Sequence, residues 1–97
     1  MRKKFEAQCH EKGEYWSRPE TAEAIMRGRI ILGRRLRELR VARQLTQEKA
    51  AEDIGIHPVQ LTRIENAEAN FMISTAYAIA FAYDIPIHEL FAREDSR

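Results

Sequence analysis

The chain has little with which to perform covalent or metal chemistry. Its single cysteine, Cys9, excludes an internal disulfide and fits a reducing compartment such as the cytoplasm. Cys9, His10, His57 and His88 show no metal-ligand spacing. No nucleophile–base constellation and no glycine-rich phosphate loop occur, so neither an enzyme nor a bound cofactor or metal is expected. No apolar run approaches the length of a membrane span, and no signal-peptide apolar stretch is visible. Internal repeats and low-complexity tracts are absent, and no strand-like alternation persists. What remains is a small globular domain, 44% hydrophobic and 32% charged, with helical patterning throughout.

The net charge of +1 says little until it is divided along the chain. Residues 1–26 hold five basic and five acidic groups. Residues 27–44 hold seven arginines (Arg27, Arg29, Arg34, Arg35, Arg37, Arg40 and Arg43) against Glu38 alone. Residues 45–97 hold four basic and nine acidic groups. A dense arginine block beside an acidic remainder suggests one face suited to polyanions. A solvated arginine-rich helix would have the same composition.

Leu32, Leu36 and Leu39 recur at helical spacing, which predicts a helix from about Arg29 to Arg43 with one buried stripe. Thr46 suits the N-cap of a second helix ending near Asp53, and a third runs from about Pro58 to Asn66. A fourth, Ile73 to Tyr83, would place Ile73, Tyr77, Ala80 and Phe81 on its apolar face; a short fifth follows Pro86, with Leu90 and Phe91 closing the core. Upstream, Ser17-Arg18-Pro19-Glu20 fits a capping box for a helix from about Arg18 to Met26, which could continue through Gly28. Residues 2–11 could form a further weak helix ending near Gly13. The expected organisation is an extension at 1–28, a domain at 29–92 and a tail at 93–97. Phe5, Tyr15, Trp16, Ile25 and Met26 make packing or dimerisation the favoured role of the extension.

The most informative stretch runs from Leu45 to Glu65, where two short helices are joined by a tight turn. Ala51 is small where helices must approach, and Gly55 falls where the first helix must stop and the chain turn sharply. Ile56 and Leu61 flank a new helix start, and Pro58 fits the first turn, where a missing N–H costs nothing. Such an arrangement can present a helix to the major groove of DNA.

Residues from about Leu32 to Phe91, roughly three-fifths of the chain, resemble the phage-repressor/Cro-like, XRE-type helix-turn-helix family without gaps. The resemblance runs through Leu32-Gly33, Arg40, Leu45-Thr46-Gln47-Glu48, Ala51, Gly55-Ile56, Ile64-Glu65, Asn70, Ala80 and Glu89-Leu90-Phe91. It implies an all-α, compact five-helix repressor-like domain, usually dimeric, whose third helix reads the major groove; here that domain carries an extra helical N-terminal extension. Four positions depart from the usual pattern: Ala67 and Asp84 stand where glycine is common, Phe71 where proline is, and Met72 at an N-cap.

The resemblance also suggests roles. Gln47 matches a glutamine that contacts the DNA backbone, at a helix N-terminus suited to phosphate. With Leu61 and Ile64 facing the core, Pro58, Val59, Thr62 and Arg63 face outward on the base-reading surface, with Gln60 at its margin. Arg63 could bond a guanine bidentately, while Val59 and the Thr62 methyl could pack on a thymine methyl. His57 either caps the third helix or meets a phosphate. Asn70, Arg34 and Arg43 are further phosphate candidates, with Arg35 and Arg37 also free for phosphate or solvent. Arg40 and Glu65 match a buried structural ion pair. Tyr77, Phe81 and Tyr83 are candidates for a twofold interface that would set two recognition helices about 34–36 Å apart on duplex DNA.

The expected function is therefore sequence-specific transcription regulation by a homodimer on a palindromic operator. An antitoxin or restriction–modification controller is an alternative, an antitoxin binding its toxin through the N-terminal extension. A protein-interaction adapter on the same fold is another, since the third helix carries Arg63 as its only base and also holds Glu65.

Overall fold

The computed structural model describes residues 18–92. Four α-helices are present there: α1 (Pro19–Ala42), α2 (Gln47–Ile54), α3 (Pro58–Glu65) and α4 (Ile73–Tyr83). The fifth expected helix is a 3₁₀ turn, Ile87–Phe91, too short and tight to be α-helical. The N-cap of α1 is Arg18, one residue later than the expected Ser17 cap, and it makes no side-chain cap bond; Ser17 itself and the expected helix at 2–11 lie outside the described residues.

Helix α1 is a single rod of 24 residues, about 36 Å long, and passes through Gly28 without a break. Pro19 occupies its first turn, where proline's fixed φ suits helix entry. One stripe of this rod holds the domain together. Leu32 and Leu36 are fully buried, and Gly33 lies against α3: a Cβ there would sit 2.5 Å from the Ile64 carbonyl oxygen and 2.9 Å from that of Glu65. Only a hydrogen at this position lets the two backbones approach so closely. Helix α1 also packs on the 3₁₀ turn, α2 packs on α3 and α4, and α4 packs on the 3₁₀ turn. The core these contacts enclose includes Ala50, Ala51, Ile54, Leu61, Ile64, Ala76, Ile79 and Leu90.

All four helices end on a residue in the left-handed conformation, yet only one is glycine. Gly55 (φ 94°) ends α2, while Gln44 (57°), Ala67 (60°) and Asp84 (57°) follow α1, α3 and α4. After α3, the Ala67 N–H donates to the Ile64 carbonyl and the Glu68 N–H to that of Arg63. After α4, Asp84 and Ile85 do the same to Phe81 and Ala80. These paired bonds form the Schellman stop, which satisfies carbonyls that the helix end leaves open. The two departures from glycine thus leave the turn geometry intact and place their cost in φ instead. Met72 caps α4 without any side-chain hydrogen bond.

Helix α4 corrects the expected assignment of its faces. Its buried residues are Ala76, Ile79, Ala80 and Tyr83, whereas Ile73, Tyr77 and Phe81 are 71%, 56% and 89% exposed. Of the residues expected on its inner face only Ala80 is buried. ISTAYAIAFAY is apolar nearly all round, so periodicity cannot choose between its faces. Packing chooses the side with small residues. Tyr83 is accordingly no interface residue: it is 3% exposed, and burial holds its phenol above the ordinary tyrosine pKa, against the opposing pull of nearby Arg43. Its hydroxyl has no hydrogen-bond partner among the described residues.

Candidate nucleic-acid interface

The two helices of the Leu45–Glu65 segment are set by short-range chemistry. The Thr46 hydroxyl accepts the Lys49 N–H at 3.1 Å, capping α2 as expected. Gly55 then ends α2 in the left-handed conformation, and Pro58 opens α3. His57 caps α3, its Nδ1 accepting the Val59 N–H at 3.1 Å. In the neutral ring this bond assigns the proton to Nε2. Capping and phosphate contact are therefore compatible at the exposed His57, one nitrogen serving each.

Beneath α3 lies a polar network centred on a fully buried carboxylate. Arg40 grips Glu65 with two bonds, Nε to Oε2 at 2.7 Å and Nη2 to Oε1 at 3.0 Å, and its Nη1 donates to the Leu45 carbonyl at 3.0 Å. The bond to Glu65 raises the Arg40 pKa above its ordinary value, outweighing the opposite effect of burial. Arg37 Nε lies 3.8 Å from Glu65 Oε1, and Gln47 Nε2 donates to the same oxygen at 3.2 Å. The network then reaches the outer face, where the Thr62 hydroxyl donates to Gln47 Oε1 at 3.1 Å. Gln47 is thus held at both ends of its amide, between the ion pair and the expected base-reading helix. The unpaired main-chain N–H groups of the first turn of α2 stay suited to phosphate. Thr62, with its hydroxyl committed to Gln47, is left with its methyl as the uncommitted group.

The outer surface of α3 carries the remaining expected residues. Val59 is 60% exposed, and Arg63 is exposed with no hydrogen bond or ion pair among the described residues. Pro58, Gln60 and Thr62 are half-buried. His57, Val59, Gln60 and Arg63 line an open groove together with Ala69 and Asn70 from the loop after α3. Five expected contact residues are therefore gathered in one place from separate elements.

The arginine block is mostly committed to tertiary contacts. Arg43 lies with its guanidinium carbon 4.7 Å from the centroid of the Tyr83 ring and donates from Nη2 to the Tyr83 carbonyl at 3.0 Å. These contacts tie the end of α1 to the end of α4, while Arg43 stays exposed. Arg35, also expected free, donates from Nε to the Glu89 carbonyl at 3.0 Å and ties α1 to the 3₁₀ turn. Arg34 is exposed beside Ile30, Arg37 and Asn66 on the seam between α1 and α3, apart from the α3 groove. The expected polyanion face of this block is therefore largely spent on packing. Arg29 was missing from the expected site. Its guanidinium donates to Asn70 Oδ1 from Nε at 3.2 Å and from Nη2 at 2.7 Å. A signal existed: Arg29 precedes Arg40 by eleven residues, close to three helical turns, so both face α3 and the loop that follows it.

No group of three or more potential metal ligands occurs among the described residues, and none of their helices is long and apolar enough to cross a membrane.

Comparison with known proteins agrees with this geometry. Residues 36–90 match the helix-turn-helix family. A solved structure of the restriction-modification controller protein C.AhdI from Aeromonas hydrophila is 35% identical, with a TM-score of 0.62, covering 65% of this chain and 96% of that one. A hypothetical transcription factor, NHTF from Neisseria, shares the fold with a TM-score of 0.69 at 23% identity, over 72% of this chain and 80% of that one. No curated protein matches. With the capped helix pair, the glycine turn and the matched span together, the chain belongs to the XRE-type helix-turn-helix family of DNA-binding transcription regulators.

Proposed function

We propose that this chain is a sequence-specific regulator that binds a palindromic operator as a homodimer, with α3 in the major groove. The observation that carries the reading is the outer surface of α3: an Arg63 without a partner among the described residues beside an exposed Val59, on a helix clamped from behind through Thr62, Gln47 and Glu65. Arg63 has the donor geometry to bond a guanine edge, and Val59 with the Thr62 methyl suits the methyl of thymine. His57, Asn70 and the first turn of α2 supply phosphate contacts that fix the register. Arg34, on the seam between α1 and α3 apart from this groove, is a further phosphate contact in this reading.

The second protomer sits on the outer face of α4. Ile73, Tyr77 and Phe81 recur at four-residue spacing and, with the 67%-exposed Met72, form an exposed apolar stripe. A twofold axis through that stripe would bury it against itself, as an isologous contact requires. The palindromic operator follows from the same symmetry.

Among regulators, the controller type is favoured by the 35% identity to C.AhdI over nearly all of that protein. Such a reading makes the chain's own concentration the regulated variable, with its own promoter as the first target.

The test is fluorescence anisotropy on a labelled duplex from upstream of the chain's own coding sequence, across a salt series and with unrelated competitor DNA. Binding is expected to survive competitor and to fall steeply with salt. Arg63→Ala should lose about 1–3 kcal/mol of discrimination against a mismatched base pair. Weak binding, equal on all duplexes and indifferent to Arg63, would instead make the fold a protein-interaction adapter.

A further inference from the structure

We infer that Arg29, on the part of α1 that precedes the family match, is a positioning residue for DNA binding: it holds Asn70 so that the amide donor serves a phosphate at the edge of the α3 groove. The inference rests on the DNA-binding reading of α3 and adds to it a residue from outside residues 36–90.

The geometry carries it in three steps. Asn70 lies in the loop between α3 and α4, in a stretch without regular structure from Glu68 to Met72, and its side chain is exposed. Such an asparagine is ordinarily free to rotate, and a mobile amide contributes little to binding because its rotamer freedom must be lost on contact. Here both donors of the Arg29 fork converge on one oxygen, Oδ1, at 3.2 and 2.7 Å. Two donors of one planar guanidinium meeting at Oδ1 pin that oxygen from two directions, a fixed fork that an ammonium lacks.

The clamp also settles which end of the amide is which. Oδ1 faces Arg29, so the NH₂ group is the end without a partner among the described residues, and Asn70 lines the groove with His57, Val59, Gln60 and Arg63. An NH₂ can only donate, so the ligand atom it suits is an acceptor, as a backbone phosphate oxygen is. Arg29 itself is half-buried and has its Nε and Nη2 spent on Asn70. Its contribution is therefore orientation, not charge.

This distinction is measurable. The experiment uses the full chain with the labelled upstream duplex, comparing the unaltered protein with Arg29→Gln, Arg29→Lys, Asn70→Ala and Arg29→Gln/Asn70→Ala, with a melting curve for each. Arg29→Gln and Asn70→Ala should each weaken binding by roughly three- to tenfold, the scale of one net hydrogen bond. The double variant should lose no more than either single one, because both remove the same contact. Arg29→Lys should lose as much as Arg29→Gln, since it keeps the charge and loses the fork. The slope of log affinity against log salt should stay unchanged in all four.

A slope shallower by about 0.9 in Arg29→Gln, with Arg29→Lys near the unaltered protein, would make Arg29 a phosphate contact in its own right and overturn the positioning role. Additive losses in the double variant, or full affinity in Arg29→Gln, would overturn it equally. In each of those cases the unaltered protein still binds its duplex specifically, so the DNA-binding reading survives. Failure of the unaltered protein to distinguish that duplex from competitor removes both. A variant whose melting temperature falls is replaced by the Arg29→Lys arm, which leaves the helix charge unaltered.

Discussion

Helices α3 and α4 rest on one core and turn opposite chemistry outward. The outside of α3 shows Val59, the Thr62 methyl and a cation without a partner among the described residues, Arg63. The outside of α4 shows Ile73, Tyr77 and Phe81. Their inner sides differ in the same sense. Behind α3, the apolar contacts of Leu61 and Ile64 are supplemented by the buried carboxylate of Glu65 with its ring of donors. Behind α4 lie Ala76, Ile79, Ala80 and Tyr83. A helix that must meet base edges needs fixed orientation, because hydrogen bonds weaken steeply when misaligned. Directional bonds to Arg40 and Gln47 provide it. A helix that meets another apolar face tolerates small rotations, since burial is non-directional, and small inner residues suffice.

The largest way to test that contrast is to remove the directional clamp. Glu65→Ala leaves Arg40 charged and largely buried without its carboxylate, and should cost about 3–5 kcal/mol in urea unfolding. Replacing both partners with apolar residues of similar volume should recover most of this. Such a double variant should nonetheless bind DNA less well than its stability suggests, because Gln47 and through it Thr62 lose their anchor. Equal affinity in the double variant would show that α3 needs only its apolar contacts.

A smaller effect is expected on the other side. Phe81→Lys, at a position 89% exposed, should leave the monomer fold unchanged while weakening self-association by at least about tenfold, the scale of an interface anchor. Sedimentation equilibrium across concentration reads this directly. An unchanged association constant would remove the α4 face as the twofold contact without touching the fold or the role of α3.

The smallest effects compare how the two helices stop. Ala67 after α3 and Asp84 after α4 share the left-handed conformation at nearly the same φ. Ala67→Gly should stabilise by about 1 kcal/mol, the left-handed cost of a Cβ less the added freedom of glycine in the unfolded chain. Asp84→Gly should gain less, because a short polar side chain tolerates this region. Thermal melts should therefore shift upward by a few degrees for Ala67→Gly, roughly 4–8 °C per kcal/mol for a domain of this size, and by less for Asp84→Gly.

Much of the fold was legible from local chemistry. Thr46 caps α2, Gly55 turns the chain, Pro58 opens α3, and Leu32 and Leu36 form the buried stripe of α1, all at their expected places. The Arg40–Glu65 pair was legible only through the family resemblance, because its partners lie 25 residues apart. Helix α4 was found with its ends at Ile73 and Tyr83, but its faces were not, since an apolar helix carries no contrast to read. The residues expected on the outer side of α3 were placed there by Leu61 and Ile64 facing inward, and the structure keeps both of those buried.

Sequence alone thus established where α2 and α3 begin, the Thr46 cap and the turn between the two helices, because each depends on residues within a few positions of one another. Apart from Arg40, whose pairing the family resemblance implied, the destiny of the arginines was decided only in three dimensions. Arg29, Arg35 and Arg40 on α1 and Arg43 at its C-cap carry one formal charge each, yet their guanidinium groups go to Asn70, the Glu89 carbonyl, Glu65 and Tyr83. Each of those partners lies between 25 and 54 residues away, and composition carries no information about which acceptor a folded chain brings within reach. A cluster of cations in sequence is a set of donors, and the acceptors that claim them are assigned by packing.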